Sequence, residues 1–260
     1  MKNFFEPEPI LFSTGGGEPG LAQDTVKNFD NAVGLGADVI RSNISITKDK
    51  KIILLGNVVF RNREILAPGI ASYALDELRM RYKKYLRDAC AEDASDDVEG
   101  VFPELSEVLS TFPRQRFNFH IPVHAPGMPE EFCRLVAEQG SADRILASAL
   151  SGRDIAKIRY AFPGMATSFS FIGVIGFYAL YRSSLVLFSK TFTADALITH
   201  ERIGASHLAN SGLIRYAKER GIRVYVLNVN AEDQVRRLSQ AGVNGYITGS
   251  VPTVKRVINN

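Results

Sequence analysis

Polar side chains that could hold an anion lie in two segments that read as β-strands. Arg41 and Asn43 are two residues apart within DVIRSNISI, and Asn118 and His120 are two residues apart within FNFHI. Because side chains alternate between the two faces of a strand, each pair shares one face. A guanidinium binds phosphate or carboxylate through paired hydrogen bonds, and an imidazolium adds positive charge. These residue types indicate anion binding rather than metal binding.

A glycine-rich run follows the first predicted strand. In STGGGEPG, Gly15, Gly17 and Gly20 have the spacing of a dinucleotide-binding fingerprint, and Arg41 on the next strand suits a 2′-phosphate. That fingerprint requires a helix that starts within the loop, whereas the first helix is expected near Asp24. Binding of a nucleotide cofactor by GGGEPG is therefore an alternative to a simple turn.

The remaining histidines and the two cysteines carry weaker signals. His124 lies four residues after His120, but in an extended, proline-containing segment that is unlike the helical spacing of a zinc pair. We expect His124, His200 and His207 on the surface or in loops. Cys90 and Cys133 are far apart in sequence, and reduced thiols are expected.

Composition excludes several classes of protein. A chain of 260 residues that is 45% hydrophobic can bury one large core, and its formal net charge of +3 does not predict a nucleic-acid partner. The beginning, MKNFFEPEPILF, lacks the apolar run of a signal peptide, so a cytoplasmic location is expected. The apolar segment 169–188 contains Arg182, and we interpret it as a buried barrel element rather than a transmembrane segment.

Short apolar runs alternate with helical patterns, which is typical of βα units around a parallel sheet. Strands are predicted at 10–13, 38–46, 51–55, 117–121, 144–148, 166–170, 195–199, 223–229 and 245–248. Helices are predicted at 24–35, 73–88, 104–111, 129–139, 152–161, 206–220 and 231–241, with Asp24 as the cap of the first. The turn TKDK is too short for a parallel crossover, so one strand is surplus to an eight-stranded (β/α)8 barrel of the TIM type.

One insert is expected after the third strand, at residues 61–100, within a single domain that spans 1–260. It contains RMRYKKYLR (79–87), followed by the acidic EDASDDVEG. We interpret the basic part as a solvated helix. A membrane or partner surface is the alternative, weakened by the acidic run beside it.

Three stretches together resemble the glycerophosphodiester phosphodiesterase family. They are GLGADVIRSNISITKDKKIILLGN (34–57), VFPELSEVL (101–109) with RFNFHIP (116–122), and GIRVYVLNVNAEDQVRRLSQAGVNGYITGSVP (221–252). The resemblance covers nearly the whole chain and implies a TIM barrel that hydrolyses phosphoric diesters in lipid metabolism. It also implies a divalent metal held by two glutamates and an aspartate, a pair of acid/base histidines, and an arginine and a lysine on the phosphate.

The metal positions implied by the resemblance have changed chemically. Arg41 and Asn43 stand where the family has glutamate and aspartate, and His120 stands where it has another glutamate. Oxygen ligands are what Mg²⁺ and Ca²⁺ require, and a guanidinium repels a cation. We therefore expect no metal cofactor.

The acid/base and phosphate positions have changed as well. Ser13 and Thr14 stand where the family has histidine and arginine, and Gly56 and Asn57 stand where it has histidine and aspartate. Pro122 replaces the lysine. We expect the metal-dependent activity to be absent.

The altered rim predicts a different use of the same end of the barrel. In the family's register, Ser13, Arg41, Asn43 and His120 converge, with Thr14 beside them, as an anion-binding group. The structural alternative is that Arg41 pairs with a buried carboxylate and His120 is a satisfied core histidine. A third reading is a scaffold or subunit that makes contacts through segment 169–188 or helix 79–87. No oligomeric state is predicted.

Overall fold

A computed structural model describes residues 3–16, 24–56, 69–89, 100–183, 192–204 and 206–259. The strands in these ranges are β1 (Ile10–Thr14), β2 (Val39–Ile46), β3 (Ile52–Leu55), β4 (Arg116–Ile121), β5 (Ile145–Ala149), β6 (Ala166–Thr167), β7 (Ala196–His200), β8 (Arg202–Ile203), β9 (Ser206–His207), β10 (Arg223–Leu227) and β11 (Gly245–Thr248). The α-helices are α1 (Val26–Gly34), α2 (Leu75–Ala89), α3 (Leu105–Thr111), α4 (Met128–Glu138), α5 (Gly152–Ala161), α6 (Phe171–Arg182), α7 (Ser211–Lys218), α8 (Glu232–Ala241) and α9 (Val251–Ile258).

Eight strands form the wall of a parallel barrel. Their order is β6-β5-β4-β2-β1-β11-β10-β7, and neighbours pair in parallel. A parallel bridge between Ser168 and Ala196 links β6 to β7, so the two ends of this order meet. The TIM-type (β/α)8 barrel predicted from the sequence is confirmed.

The surplus strand is β3, as the TKDK turn predicted. It runs antiparallel to the end of β2, with Ile46 opposite Ile52 and Asn43 opposite Leu55. The turn closes through the Lys50 amide, which donates to the Thr47 carbonyl at 3.0 Å. β3 therefore lies outside the wall, and β2 and β4 pair directly with each other.

Helix ends follow local capping chemistry. Thr25, rather than the predicted Asp24, caps α1, because its hydroxyl accepts from the Asn28 amide at 3.2 Å. The helix predicted at 206–220 begins only at Ser211, where Asn210 caps it, because the β8–β9 hairpin occupies the preceding residues. Sequence reasoning missed α6 and α9.

The expectation that segment 169–188 is a buried barrel element is wrong. Its described part is mainly the surface helix α6, in which Phe177 is buried while Phe171, Ile172 and Ile175 are exposed. Residues 184–188 lie outside the described residues. No helix in the described ranges is long and apolar enough to cross a membrane.

The predicted insert is described only at 69–89 and 100. Its helix α2 packs against β3 through Leu75, Leu78 and Tyr82, which are buried with Ile53. Arg79 donates to the carbonyl of residue 101 at 3.2 Å. The beginning of the basic segment 79–87 is thus anchored to the barrel rather than fully solvated.

Buried side chains pack on both faces of the barrel wall. Inside the barrel, Phe12 contacts Tyr225 with ring centroids 4.7 Å apart, and Phe4 and Phe5 close the end where the strands begin. Outside it, aliphatic side chains pack between strands and helices, as at Leu11. Each fully buried large side chain contributes roughly 1.5–3 kcal/mol, so the closed end is a stable base for the open one.

Candidate functional site

The carboxyl ends of β1, β2 and β4 bring polar side chains together at the mouth of the barrel. Thr14 pairs with Arg41 across β1 and β2, and Asn43 pairs with His120 across β2 and β4. Arg41 and Asn43 lie on the same face as Val39, which belongs to the barrel interior. Active sites of TIM barrels occupy this end.

An oriented amide holds Arg41. Asn118 Nδ2 donates to the Leu146 carbonyl at 2.7 Å and to Ser148 Oγ at 2.8 Å, which leaves Asn118 Oδ1 to accept from Arg41 Nη1. Burial lowers the pKa of Arg41 to about 10. Within the described ranges no carboxylate forms an ion pair with Arg41, so the expected structural alternative, a buried carboxylate partner, is not seen there.

His120 is held neutral beside this cation. Burial, together with the charge of Arg41, lowers its pKa to about 3. Its Nδ1 is buried and has no hydrogen-bond partner among the residues that the structure describes. A buried ring nitrogen without a hydrogen bond destabilises the folded state. His120 is therefore not the satisfied core histidine of the structural alternative.

Asp24 also faces the mouth, which sequence reasoning missed. It has a φ of 58°, is buried, and interacts with Ser42 through a side-chain hydrogen bond. Burial raises the pKa of this carboxyl to about 7, and the hydrogen bond from Ser42 only partly offsets that effect. The sequence showed only an acid next to a helix start, which is the pattern of a cap.

A cleft of about 150 Å³ opens beside Arg41 and Asp24. Its lining comprises Thr14, Asp24, Arg41, Ser42, Asn43, Leu227 and Asn228. A water molecule occupies about 30 Å³ of the liquid, so there is room for a small anion. The site combines one fixed cation, one neutral imidazole at its edge and one carboxyl that titrates near neutrality.

Two predicted positions lie away from this cleft. Ser13 is fully buried and alternates onto the face of Leu11, which packs against the outer helices, so Thr14 rather than Ser13 joins the group. Gly56 follows β3, the strand outside the wall, and is buried there. Asn57 lies outside the described residues.

The glycine run shows little of a dinucleotide loop. Gly15 and Gly16 are described, whereas residues 17–23 lie outside the described residues. The helix that follows begins only at Val26 and is capped by Thr25, so it does not start within the glycine run. The nucleotide alternative is not favoured by this arrangement.

The donor set does not fit the divalent metal that the resemblance implies. The three positions at which the resemblance implies carboxylates present a guanidinium, an amide and an imidazole, from Arg41, Asn43 and His120. Asp24 adds a single carboxyl, and no group of three His, Cys, Asp or Glu suited to a metal occurs in the described part. A hard cation needs several oxygen ligands.

His124 has a partner that the sequence did not reveal. Its Nδ1 lies 2.8 Å from Oδ1 of Asp154, which is fully buried, while 46% of the His124 side chain is exposed. His200 and His207 are exposed at the rim, as expected. Burial, with Glu130 nearby, raises the pKa of Cys133 to about 11, so it is a thiol at neutral pH; Cys90 lies outside the described residues.

Comparison with known proteins gives one consistent result. The sequence model of the Glycerophosphoryl diester phosphodiesterase family matches residues 16–253. A glycerophosphodiester phosphodiesterase of Bacillus subtilis is 22% identical over 95% of this chain and 85% of its own length. A lysophospholipase D of Rattus norvegicus is 21% identical over 100% of this chain and 88% of its own.

Solved structures agree on the fold. The glycerophosphoryl diester phosphodiesterase domain of a Mycobacterium tuberculosis protein has a TM-score of 0.76 at 12% identity, with 96% of this chain and 99% of that chain covered. A phosphodiesterase of Oleispira antarctica, in complex with the product sn-glycerol-3-phosphate, has a TM-score of 0.69 at 14% identity, with coverage of 97% and 98%.

Proposed function

Because this chain belongs to the Glycerophosphoryl diester phosphodiesterase family, we propose that its barrel mouth binds a phosphate-bearing small molecule without performing the family's metal-dependent hydrolysis. One observation carries the proposal: Arg41 is a half-buried cation whose surroundings lower its pKa, and it has no carboxylate partner in the described part of the chain. The Oleispira antarctica relative was solved with sn-glycerol-3-phosphate, so glycerol phosphates are the first ligands to test.

The energetics of Arg41 favour an anionic ligand. Removing a guanidinium from water is costly unless an opposite charge compensates for it. The Asn118 amide supplies one neutral acceptor and leaves the other guanidinium donors available to the cleft. A phosphate would accept paired hydrogen bonds from them.

His120 and Asp24 would adjust to such a ligand. A bound anion offsets the field of Arg41, so the pKa of His120 would rise from about 3 and the ring could take up a proton. Asp24, with a pKa of about 7, is a neutral hydrogen-bond donor in mild acid and a repelling carboxylate in mild base. We therefore expect anion affinity to fall as the pH rises through 7.

The chemistry of the mouth supports binding more than hydrolysis. Arg41 and Asn43 offer no carboxylate to a metal, and Ser13, at the former histidine position, faces away from the cleft. Gly56, at the other histidine position, has no side chain to move a proton. An assay on glycerophosphodiesters with Mg²⁺ or Ca²⁺ is expected to show no turnover, and turnover that a chelator abolishes would refute this part.

Calorimetry tests the binding itself. The intact chain should bind inorganic phosphate and sn-glycerol-3-phosphate but not glycerol, and Arg41→Met should weaken binding by about tenfold or more, since a charge-assisted hydrogen bond contributes about 1.5–3 kcal/mol. Arg236→Met removes an exposed arginine of α8 and is the matched control. Equal affinity in wild type and Arg41→Met would refute the assignment.

Sulfate isolates the pH dependence, because its charge is constant between pH 6 and 8 while that of phosphate is not. Wild type should bind sulfate more weakly as the pH rises through about 7, the pKa of Asp24. Asp24→Asn should remove most of that dependence. An unchanged profile in Asp24→Asn would show that this carboxyl does not face the anion.

A further inference from the structure

Apolar side chains are exposed around one sector of the barrel mouth. The described part of the chain has nine exposed large hydrophobic residues, and six of them follow the carboxyl ends of β4, β5, β6 and β7. These six are Val123, Leu150, Phe171, Ile172, Ile175 and Ile203, and we call them the apolar rim. Scattered exposed apolar residues are ordinary, whereas a concentrated patch marks an interaction site.

Hydrogen bonds join the segments of the apolar rim into one surface. The Phe171 amide donates to the Leu150 carbonyl at 3.3 Å, which ties the start of α6 to the loop after β5. Tyr178 Oη donates to the His207 carbonyl at 3.1 Å, which ties α6 to the β8–β9 hairpin that carries Ile203. The segments that carry the apolar rim are therefore held together as one continuous surface.

Helix α6 is apolar on the side that faces solvent. Its inner side packs on aromatic rings, with Phe177 5.2 Å from Phe169 and 5.2 Å from Tyr216. Its outer side presents Ile172, at 76% exposure, and Ile175, and the same stripe continues through small residues to the exposed Arg182 at the end of the helix. A surface helix of a soluble domain normally turns polar residues outward.

In the described segments of the apolar rim, the exposed side chains that carry a full charge and form no ion pair are all arginines. Arg153, Arg182 and Arg202 are exposed in the rim segments, and none of them forms an ion pair with a described residue. The acidic residue there, Glu201, is 12% exposed and pairs with Arg237 at 3.1 Å. Arginines around an apolar patch complement a surface that is apolar below and negatively charged above.

We propose that the apolar rim docks on an anionic phospholipid bilayer, with its aliphatic and aromatic side chains at the acyl boundary and its arginines on the headgroups. At 1.5 Å per residue, the 12 residues of α6 extend about 18 Å, which suits a helix lying in the interface and not one crossing it. Because the rim occupies one sector of the mouth, docking places the Arg41 cleft beside the headgroups.

Vesicle flotation of the intact chain tests the proposal. Wild type should float with vesicles of phosphatidylcholine that contain about a third phosphatidylserine, and more weakly with phosphatidylcholine alone, since each surface arginine adds about fivefold. Ile172→Ser with Ile175→Ser should weaken flotation by about tenfold or more, because each buried methylene adds roughly fourfold. Tyr160→Ser with Val33→Ser, at exposed sites away from the rim, is the matched control.

Two further variants separate this proposal from the one on the cleft. Arg182→Gln with Arg202→Gln should remove most of the preference for phosphatidylserine, and circular dichroism checks that each variant is folded. Arg41→Met should float like wild type, and the isoleucine variant should bind phosphate like wild type, so either proposal can fail alone.

Three results would overturn the docking proposal. They are wild type that floats with neither vesicle, isoleucine variants that float like wild type, and arginine variants that keep the lipid preference. Light scattering that shows a wild-type dimer, converted to monomer by Ile172→Ser with Ile175→Ser, would also overturn it, because a second copy would then cover the rim.

Discussion

The two ends of the barrel treat the same kind of side chain in opposite ways. At the closed end, Arg116 donates to the Glu6 carbonyl at 2.7 Å, and Arg223 pairs with Glu8 at 3.2 Å. At the open end, Arg41 contacts a neutral amide and lacks an ion pair within the described residues. A cation with its counter-charge stabilises the fold, whereas a half-buried cation without one is available to a ligand.

Removal of an aromatic ring from the closed end of the barrel should give the largest loss of stability. Phe5 is 1% exposed, and the Arg223 guanidinium lies 4.2 Å from its ring centroid. Phe5→Ala should lower the free energy of unfolding by about 3–5 kcal/mol and leave phosphate affinity unchanged. Phe171→Ala, at an exposed phenylalanine, should cost less than about 1 kcal/mol. Urea denaturation measures both, and similar losses would contradict a structural role for the closed end.

Replacing Arg223 and Arg41 one at a time tests the comparison, because the two substitutions should affect the free energy of unfolding differently. Arg223→Met should lower the free energy of unfolding by about 1–2 kcal/mol, because it removes both the ion pair with Glu8 and the contact of the guanidinium with the Phe5 ring. Arg41→Met should change the stability of the unliganded chain by less than about 1 kcal/mol, since removal of a half-buried unpaired charge offsets the loss of the hydrogen bond to Asn118. Equal losses of stability in the two variants would contradict the proposed difference between the two ends of the barrel.

The pH dependence of stability should reveal two opposing groups at the mouth. Asp24, raised from 3.8 to about 7 by burial, contributes stability that is complete below pH 3.8 and lost as the pH rises through 7. His120, lowered from 6.5 to about 3, contributes stability that is complete above pH 6.5 and lost as the pH falls through 3. In wild type the two contributions offset each other between pH 3.8 and 6.5.

Single substitutions should expose each contribution. Asp24→Asn should leave a chain that loses stability on acidification below pH 6.5, the ordinary pKa of His120. His120→Gln should leave one that gains stability as the pH falls from 7. Each slope is at most about 1.4 kcal/mol per pH unit. Urea midpoints at several pH values measure it, and parallel profiles in the three proteins would refute the assignment.

A small effect on stability is expected for His124 and Asp154, which lie near the mouth but contact each other, as the charged groups at the closed end do. His124 Nδ1 lies within hydrogen-bond distance of Oδ1 of Asp154, whose Oδ2 has no partner among the described residues. His124→Ala should therefore cost about 1–2 kcal/mol of unfolding free energy by leaving a buried carboxylate without this partner. Phosphate affinity should not change. A loss of affinity, with stability intact, would move His124 into the binding site.

Much of the barrel could be predicted because its signals are local. Each of the nine predicted strands appears within a few residues of its predicted place, and the TKDK turn correctly set β3 apart. α6 was missed because a helix that is apolar on both sides has no 3.6-residue polar pattern. α9 had a signal that was not used, with Pro252 in its first turn and basic residues in its last.

The site was predictable in its positions and not in its contacts. Strand alternation correctly put Arg41, Asn43 and His120 together, because the register of a parallel barrel is regular. Alternation also explains why Ser13 turns away. Asp24 could not be found, because it lies outside the strands to which alternation applies and has a positive φ, which sequence does not specify for aspartate.

The antiparallel strand β3 has a consequence for engineering. The Leu54 amide donates to the Pro103 carbonyl at 3.0 Å, and Ile53 bridges to Glu104, so the chain leaves and returns at adjacent points. The segment that connects these two points does not affect the shear of the barrel, because the shear depends only on the register of the eight wall strands. A foreign module could therefore be inserted between residues 56 and 103 while the mouth keeps its geometry, provided that Leu75, Leu78 and Tyr82 of α2 still cover Ile53.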